Sequence, residues 1–156
     1  MLTIEQFLKE VHNLTIPQID YAGGHIVSMH MNQSDAMLKT RAKSERVDAS
    51  TFYQELSEDE ILDMIYTAVE EYAPDLVDWL NDPTDGGNYE ASFVFDKAIG
   101  KVYSCAKWHE WNKGACPCSE ICVAFIKDER KYDTSFKIIS VYPRATEEEK
   151  EIFKSL

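Results

Sequence analysis

The chain has 156 residues, of which 44% are hydrophobic and 12% aromatic, so it can form one domain with a proper core and wholesale disorder is excluded. No apolar run approaches the roughly 18 residues of a membrane span, and the first residues do not follow the basic-then-apolar order of a secretory signal. The formal net charge is −12, which at face value argues against nucleic acid as a partner, because polyanions bind through Lys and Arg.

The negative charge is concentrated in one stretch. From Glu55 to Glu90 there are 12 acidic residues and no Lys or Arg, while the rest of the chain, with 16 acids and 16 bases, is neutral. Residues 21–46 hold four bases and two acids. The acidic stretch indicates either a solvated helical face or a docking surface for a partner. We therefore predict a dipolar surface rather than a uniformly acidic one.

The first half of the chain predicts helices. Capping boxes, in which Thr or Ser is followed three residues later by Gln or Glu, mark helix starts here and near the C-terminus: Thr3 with Gln6, Ser57 with Glu60, and Thr146 with Glu149. Ser34 is a good N-cap for a helix that carries Arg41. Residues 25–30, after two glycines, predict a short extended segment. Pro74 fits the first turn of a further short helix.

The second half predicts strands. After a turn-rich loop at 82–87, β-branched and aromatic residues dominate four runs: 92–95, 101–104, 121–126 and 136–142. Helices followed by strands predict an α+β fold, with N-terminal helices packed on a C-terminal antiparallel sheet of about four strands. We predict a single domain over 1–156, with an N-terminal helical extension at 1–18 and a C-terminal tail helix at 144–156.

Few residues are left that suggest chemistry. The sequence has no phosphate-cradling Gly-rich loop, no nucleophile elbow and no helix with paired metal-ligating histidines. Two motifs remain, one near each end of the chain: Gly23-Gly24-His25 with His30 and Arg41, and Ser140-Val141-Tyr142-Pro143.

These motifs resemble the bacterial ribonuclease A-like toxin domain, found at the C-termini of contact-dependent growth-inhibition and other polymorphic toxins. The first reads GGHIVSMHMNQSDAMLKTR, and residues 49–52, followed by a helix ending at Trp79-Leu80, also fit the family. The resemblance covers 22–143, which would be the nuclease body. Ser140 stands where Thr is usual and keeps a hydroxyl, whereas Met29 stands where a basic residue often precedes the second His, a change expected to weaken RNA binding.

The resemblance implies a metal-independent endoribonuclease that needs no cofactor. Such an enzyme cleaves RNA, with tRNA as a candidate target, through the 2′-hydroxyl and leaves a 2′,3′-cyclic phosphate. By position, His30 would be the general base or acid and Arg41 the cation facing the phosphate. Ser140 and Tyr142 would close the site, with His25 as a candidate auxiliary. The resemblance also implies a cognate immunity protein as partner, and delivery into a competing bacterium as part of a larger toxin that acts in the target-cell cytoplasm; a free-standing relative would be cytoplasmic.

General chemistry supports these assignments. Imidazole suits proton transfer because its pKa lies near neutrality, and guanidinium binds two phosphate oxygens at once. One His and one Arg do not form a complete acid–base pair, so His25, Tyr142 or water must supply the second transfer. Each residue also has an ordinary alternative role: a backbone-bonded loop histidine, a partner for the helix dipole at Arg41, or a plug at the end of the sheet at Tyr142.

Two further interpretations stay open. The acidic stretch is also compatible with a protein that is not an enzyme, either a degenerate toxin relative or an acidic, immunity-like binding protein. The cysteines, Cys105, Cys116, Cys118 and Cys122, fit free or buried thiols first and one disulfide second. A zinc cluster of Cys105, His109, Cys116 and Cys118 ranks third, because its spacing is not a usual zinc pattern. Residues 108–114 predict a long hairpin tip with exposed aromatics.

Overall fold

The structure, a computed structural model, describes residues 1–128 and 136–156 and has an α+β architecture. Within these ranges there are six α-helices: α1 Ile4–His12, α2 Ile16–Tyr21, α3 Ile26–His30, α4 Asp35–Glu45, α5 Glu58–Asn81 and α6 Glu147–Lys154. The strands are β1 Ala49–Phe52, β2 Asn88–Val94, β3 Gly100–Tyr103, β4 Cys116–Cys118, β5 Glu120–Lys127 and β6 Phe136–Arg144. They form two antiparallel sheets, ordered β1-β3-β4 and β2-β5-β6.

The α+β class with antiparallel sheets is confirmed, but the expected number of strands was too low. The four predicted runs correspond to β2, β3, β5 and β6, whereas β1 and β4 were not predicted as strands. These two strands are only four and three residues long, and each exists through pairing with β3. Short strands stabilised by distant partners leave little periodic pattern in the sequence.

Helix starts follow the predicted caps. The Thr3, Ser57 and Thr146 side chains each accept a hydrogen bond from the backbone three residues on, and each box is closed by its Gln or Glu partner. Ser34 caps α4 through the backbone N–H of Met37. A further box, Thr15 with Gln18, starts α2.

The prediction of an extended segment at 25–30 was wrong, because α3 occupies most of it. The Asp20 carboxylate accepts hydrogen bonds from the backbone N–H of Ile26 at 2.6 Å and of Val27 at 2.9 Å. This interaction satisfies two of the unpaired donors at the start of α3. His25 precedes the helix in a left-handed conformation, with φ 53°.

Pro74 does not start a new helix. It lies inside α5, which is 24 residues long. Proline removes one hydrogen bond from the helix interior and normally kinks or breaks it. On either side of Pro74, α5 buries Ala73, Leu76 and Val77 in the main core. This packing outweighs the local preference for a break.

The main core lies between α5 and one face of the β2-β5-β6 sheet. Helix α5 packs on β2 and β5, and α1 packs on α5. Phe7 of α1, assigned from sequence to an N-terminal extension, is fully buried, with its ring centroid 5.1 Å from that of Phe136. A smaller core around Val102 and Phe153 joins β3, β4 and α6. Of the helices in the described ranges, none is both long and apolar enough to cross a membrane.

The two sheets meet where β3 passes β6. A Cβ atom at Gly100 would lie 2.8 Å from Cγ of Pro143 and would collide with the carbonyl oxygen of Thr51. The missing side chain at Gly100 therefore lets the sheets approach closely. This contact brings β1, which carries Ser50, next to Tyr142 of β6.

Candidate active site

His30 lies at the end of α3, with only 9% of its surface exposed. Its Nδ1 lies 2.9 Å from the carbonyl oxygen of Ser50. A carbonyl can only accept, so Nδ1 carries the proton and Nε2 of the neutral ring is the acceptor. Burial lowers the pKa of His30 to about 4, and the positive charge of Arg41 contributes to this shift. The hydrogen bond to Ser50 acts in the opposite direction but is a smaller effect than burial. His30 is therefore neutral near pH 7, as a general base requires.

Arg41 reaches the same carbonyl from α4. Its Nη1 donates to the carbonyl oxygen of Met29 at 2.6 Å and its Nη2 to that of Ser50 at 3.4 Å. Its Nε is buried and makes no hydrogen bond within the residues described, since Oε2 of the half-exposed Glu45 is 4.0 Å away. A guanidinium stays charged in proteins even though burial lowers the pKa of Arg41. Its weakly compensated positive charge favours an anion nearby.

Tyr142 places an aromatic ring beside His30. The ring centroids are 5.8 Å apart, and the planes are tilted by 35°. The Tyr142 hydroxyl donates to Oε2 of Glu90 at 3.2 Å. Burial raises the pKa of Tyr142, and the nearby Cys122 and Glu90 add to the rise, so the phenol stays protonated. The structure thus brings His30, Arg41 and Tyr142 together.

Ser140 lies on the same face of β6 as Tyr142, since side chains two residues apart on a strand point the same way. It pairs with Ala124 of β5, next to an irregularity in the register. Ser140 is half-buried, and among the described residues its hydroxyl makes no hydrogen bond. Ser140 thus lies on the strand face that carries Tyr142, and within residues 1–128 and 136–156 it forms no hydrogen bond with His30 or Arg41.

His25 is exposed at the N-terminus of α3, and its side chain does not cap the helix. The preceding glycines form the turn between α2 and α3. Gly23 has φ 112°, and a Cβ atom at Gly24 would lie 2.5 Å from Cγ2 of Ile19. The motif therefore has a clear structural role in orienting α3 and His30, and His25 itself lies at the surface.

Sequence reasoning missed two charged residues at this site, Glu90 and Arg144. Arg144 donates from Nη1 to Glu90 and from Nε to Glu120, both at 2.8 Å. Glu90 therefore holds Arg144 and the hydroxyl of Tyr142 at the same time. Arg144 directly follows the Tyr142-Pro143 motif and could have been suspected. Glu90 lies in the acidic stretch, and only the pairing of β2 with β5 and of β5 with β6 reveals its position.

Most of the acidic stretch lies away from this cluster. Eight of its 12 acids are in α5, which contacts α1, β2 and β5, whereas α3 contacts α2, β1 and β6. Val141 and Val123 face the core shared with α5, so the alternating Tyr142 and Cys122 belong to the opposite face of the sheet. Glu90 is the member of the stretch that contacts the cluster.

The cysteines are all free thiols, and Cys105 is exposed. Burial raises the pKa of Cys116 to about 11 and that of Cys122 to about 12. His109 accepts at Nδ1 from the backbone N–H of Ser104 (2.9 Å) and donates from Nε2 to the carbonyl of Gly114 (2.8 Å), so both ring nitrogens are engaged. Over residues 1–128 and 136–156, no group of three His, Cys, Asp or Glu side chains is placed to hold a metal. This includes the candidate zinc cluster of Cys105, His109, Cys116 and Cys118.

The aromatic residues between β3 and β4 are less exposed than predicted. Trp108 packs with Phe153 on the smaller core, and Trp111 packs edge-on against Tyr103. The Trp111 indole also donates to the carbonyl oxygen of Ser104 at 2.7 Å. The connection is the long hairpin tip that the sequence predicted, since it joins the antiparallel strands β3 and β4, but the expectation that its aromatics are exposed was wrong, because α6 and β3 cover them.

Comparison with known proteins yields a structural relationship. No protein-family model matches the sequence, and no curated protein matches it. The fold is similar to a chain in the crystal structure of a CdiA-CT/CdiI complex from Y. kristensenii 33638, with a TM-score of 0.60 and 20% sequence identity. The similarity covers 78% of this chain and 99% of that chain. At this identity, the likeness shows a shared fold.

Proposed function

We propose that the chain is the nuclease domain of a contact-dependent inhibition toxin, ribonuclease A-like in fold, which cleaves RNA without a metal. The observation that carries the proposal is the convergence of His30 and Arg41 on the carbonyl of Ser50, with the ring of Tyr142 beside them. The similarity in fold to a chain of a toxin–immunity complex supports the same context. A cognate immunity protein, and delivery as part of a larger toxin into the cytoplasm of a target cell, are parts of this proposal.

The first step is removal of the 2′-hydroxyl proton by Nε2 of His30. The Nδ1–H bond to Ser50 fixes the tautomer that leaves Nε2 free to accept. A pKa of about 4 makes the free imidazole a weak base. A bound phosphate would raise that pKa, because a nearby negative charge favours the imidazolium. Substrate binding would therefore strengthen the base where it is needed.

In the second step the 2′-oxygen attacks phosphorus. The bond from the 2′-oxygen to phosphorus forms, the bond from phosphorus to the 5′-oxygen breaks, and a 2′,3′-cyclic phosphate remains. Arg41 stabilises the negative charge that develops on the phosphorane-like transition state. The departing 5′-oxygen takes a proton; the raised pKa of Tyr142 makes the phenol a poor donor, which leaves His25 or water.

Cleavage of RNA in EDTA tests this proposal. We expect the purified chain to cut total tRNA and to leave 2′,3′-cyclic phosphate ends. We expect His30→Ala and Arg41→Ala each to lose at least about 100-fold in rate, the scale of general acid–base and charge stabilisation. His12→Ala is the matched control, because His12 stacks on Tyr66 and pairs with Glu70 of α5, away from the site. Absence of cleavage, or equal cleavage by all three variants, would contradict the proposal.

A second candidate is an immunity-like binding protein. The structurally similar chain belongs to a complex of two proteins, and the acids of α5 offer a negative surface to a basic partner. Replacing the exposed Glu71 and Asp75 by Lys would then abolish capture of a basic toxin domain in a salt-sensitive manner. A chain that cuts RNA in a His30-dependent manner and binds its partner regardless of these charges would rule this candidate out.

A further inference from the structure

A cleft of about 360 Å³ opens beside Tyr142, between β1, β3, the end of β6 and α6. Ser50 and Tyr142 line it, and both belong to the candidate site: Ser50 accepts from His30, and Tyr142 lies beside the His30 ring. Its volume is within the range of pockets that hold small organic ligands. A ligand with one end at His30 and Arg41 would therefore continue into this cleft.

The lining of the cleft combines apolar walls with one edge of charge. Val102, Pro143 and Ala145 supply aliphatic surface, and Trp108 supplies an aromatic ring. The His109 ring stacks on Trp108 at 5.0 Å, and Lys150 Nζ lies 5.6 Å from the Trp108 centroid, so a flat, partly apolar base would be held here by the aliphatic groups and by the edge of the indole. These walls are unsuited to a bare inorganic anion, which would bind through polar groups on all sides.

Lys150 is the cation best placed to meet a phosphate in the cleft. Arg144 also lines it, but Glu90 and Glu120 already neutralise that guanidinium. Lys150 pairs with Glu147, whose side chain is 88% exposed, at 3.2 Å. The Lys150 side chain is 20% exposed, but the Glu147 carboxylate is in solvent, where an ion pair contributes little, so the ammonium group can exchange the carboxylate for a phosphate.

Asp48 also lines the cleft, and its carboxylate would repel a phosphate. Its Oδ1 accepts the hydroxyl of Ser104 at 2.6 Å. A carboxylate in this position can accept from the amino group of a base, as Asp and Glu do when they contact cytosine. The charges therefore favour one orientation, with the base towards Asp48 and the phosphate towards Lys150.

We propose that this cleft binds one nucleotide of the RNA strand, adjacent to the phosphate held at His30 and Arg41. The assignment rests on the proposed function, since the ribonuclease activity defines the strand. It adds a substrate-binding site whose residues, Trp108, Lys150 and Asp48, take no part in the chemical step.

Binding of a labelled single-stranded RNA oligonucleotide to the His30→Ala chain, followed by fluorescence anisotropy, tests the cleft without cleavage. In that background we expect Lys150→Glu to weaken binding about tenfold, because it reverses the charge at a phosphate contact. Lys154→Glu is the matched control: Lys154 is also in α6 and pairs with the glutamate three residues before it, but it does not line the cleft. We expect a change of less than about twofold there.

A second position separates a specific cleft from a general effect of charge. Val47 is 44% exposed and lines the cleft, so either charge is tolerated there without a change in the core. Val47→Lys should tighten oligonucleotide binding and Val47→Glu should weaken it. Ribose 5-phosphate and a 5′-mononucleotide can each be used to compete with the labelled oligonucleotide. We expect the mononucleotide to bind more tightly, because only the mononucleotide has a base that can contact the walls of the cleft.

The outcomes for the cleft and for the nuclease differ. Equal loss of binding in Lys150→Glu and Lys154→Glu, or equal effects of the two Val47 variants, would overturn the cleft assignment even if the chain with His30 cuts RNA. Binding that depends on Lys150, in a chain that never cuts RNA, would support the nucleotide site and remove the proposed activity.

Discussion

A buried neutral histidine makes stability depend on pH, and His30 is the clearest case here. Its pKa is about 4 when folded and 6.5 when exposed, so between these values the unfolded chain binds a proton that the native chain does not. The free energy of unfolding therefore falls as the pH falls from 6.5 towards 4, and the loss is complete below 4. The shift corresponds to about 3 kcal/mol.

We expect His30→Asn to show a smaller loss of stability over that range. Asn can still donate to the carbonyl of Ser50 but does not titrate, while the carboxylates common to both chains contribute equally. Urea unfolding at pH 7 and at pH 4.5 measures the difference. The same pH dependence in both chains would mean that His30 is solvated or already charged at neutral pH.

Glu90 works against the proposed chemistry, because it places a carboxylate beside a phosphate site and accepts the hydrogen bond that the Tyr142 hydroxyl could otherwise donate to a phosphate. Glu90→Gln removes the charge and keeps the shape. We expect this variant to lower the KM for RNA about two- to fivefold at low salt, and less at high salt. Glu71→Gln, on the exposed face of α5 and further from the site, is the comparison variant, and its effect on KM should be smaller than that of Glu90→Gln at every salt concentration. A higher KM in Glu90→Gln would show instead that Glu90 organises Arg144 and Tyr142 for binding.

The sequence predicts some of these residues and not others, for a physical reason. His30 and Arg41 lie 11 positions apart, and a turn and two short helices bring them together, so a local motif contains both. Glu90 and Tyr142 are 52 positions apart. Their contact depends on the order and register of β2, β5 and β6, which no local pattern specifies.

Among the elements, α3 depends most on its surroundings. A five-residue helix is not stable alone, because nucleation costs more than so few hydrogen bonds return. The Asp20 carboxylate holds it by two backbone N–H groups. We expect Asp20→Ala to lower the free energy of unfolding by about 1–2 kcal/mol, the usual cost of losing a cap.

The same variant should reduce RNA cleavage by more than its loss of stability explains, because α3 carries His30. Asp96→Ala, at an exposed position after β2, is the control in both measurements. Cleavage unchanged in Asp20→Ala at a temperature where the chain is folded would show that β1 alone fixes His30.

Elements that carry their own signals were predicted well, and elements defined by distant contacts were not. The capping boxes at Thr3 and Ser57 contain both partners within four residues, so sequence reveals them. The cap of α3 comes from Asp20, six residues before Ile26, so the residues of the segment itself do not predict this helix. At Pro74 the local signal for a helix start was real, but burial of the flanking residues decided the outcome.

At the scale of the whole molecule, Gly100 joins the two sheets. A methyl group there would meet Pro143 of β6 and the backbone of Thr51, neither of which can move independently of its strand. We expect Gly100→Ala to lower the free energy of unfolding by about 1–3 kcal/mol, the range for overpacking. Gly86→Ala, in a loop with open space at the Cβ position, is the control for urea unfolding. Equal effects would mean that the sheets can separate slightly at no cost.

The distribution of charge determines how a chain of net charge −12 can bind RNA. The β2-β5-β6 sheet and α5 itself lie between the cluster and the acids on the outer face of α5, a separation of roughly 15–20 Å from helix dimensions. At 0.15 M salt, where the Debye length is about 8 Å, these acids are screened from a phosphate at His30; at 0.01 M, where the Debye length is about 30 Å, they are not.

Neutralising Glu71 and Asp75 as Gln and Asn should therefore raise RNA affinity at low salt only. An equal gain at both salt concentrations would place the acids of α5 in the binding cleft, and the nuclease proposal would lose its electrostatic basis.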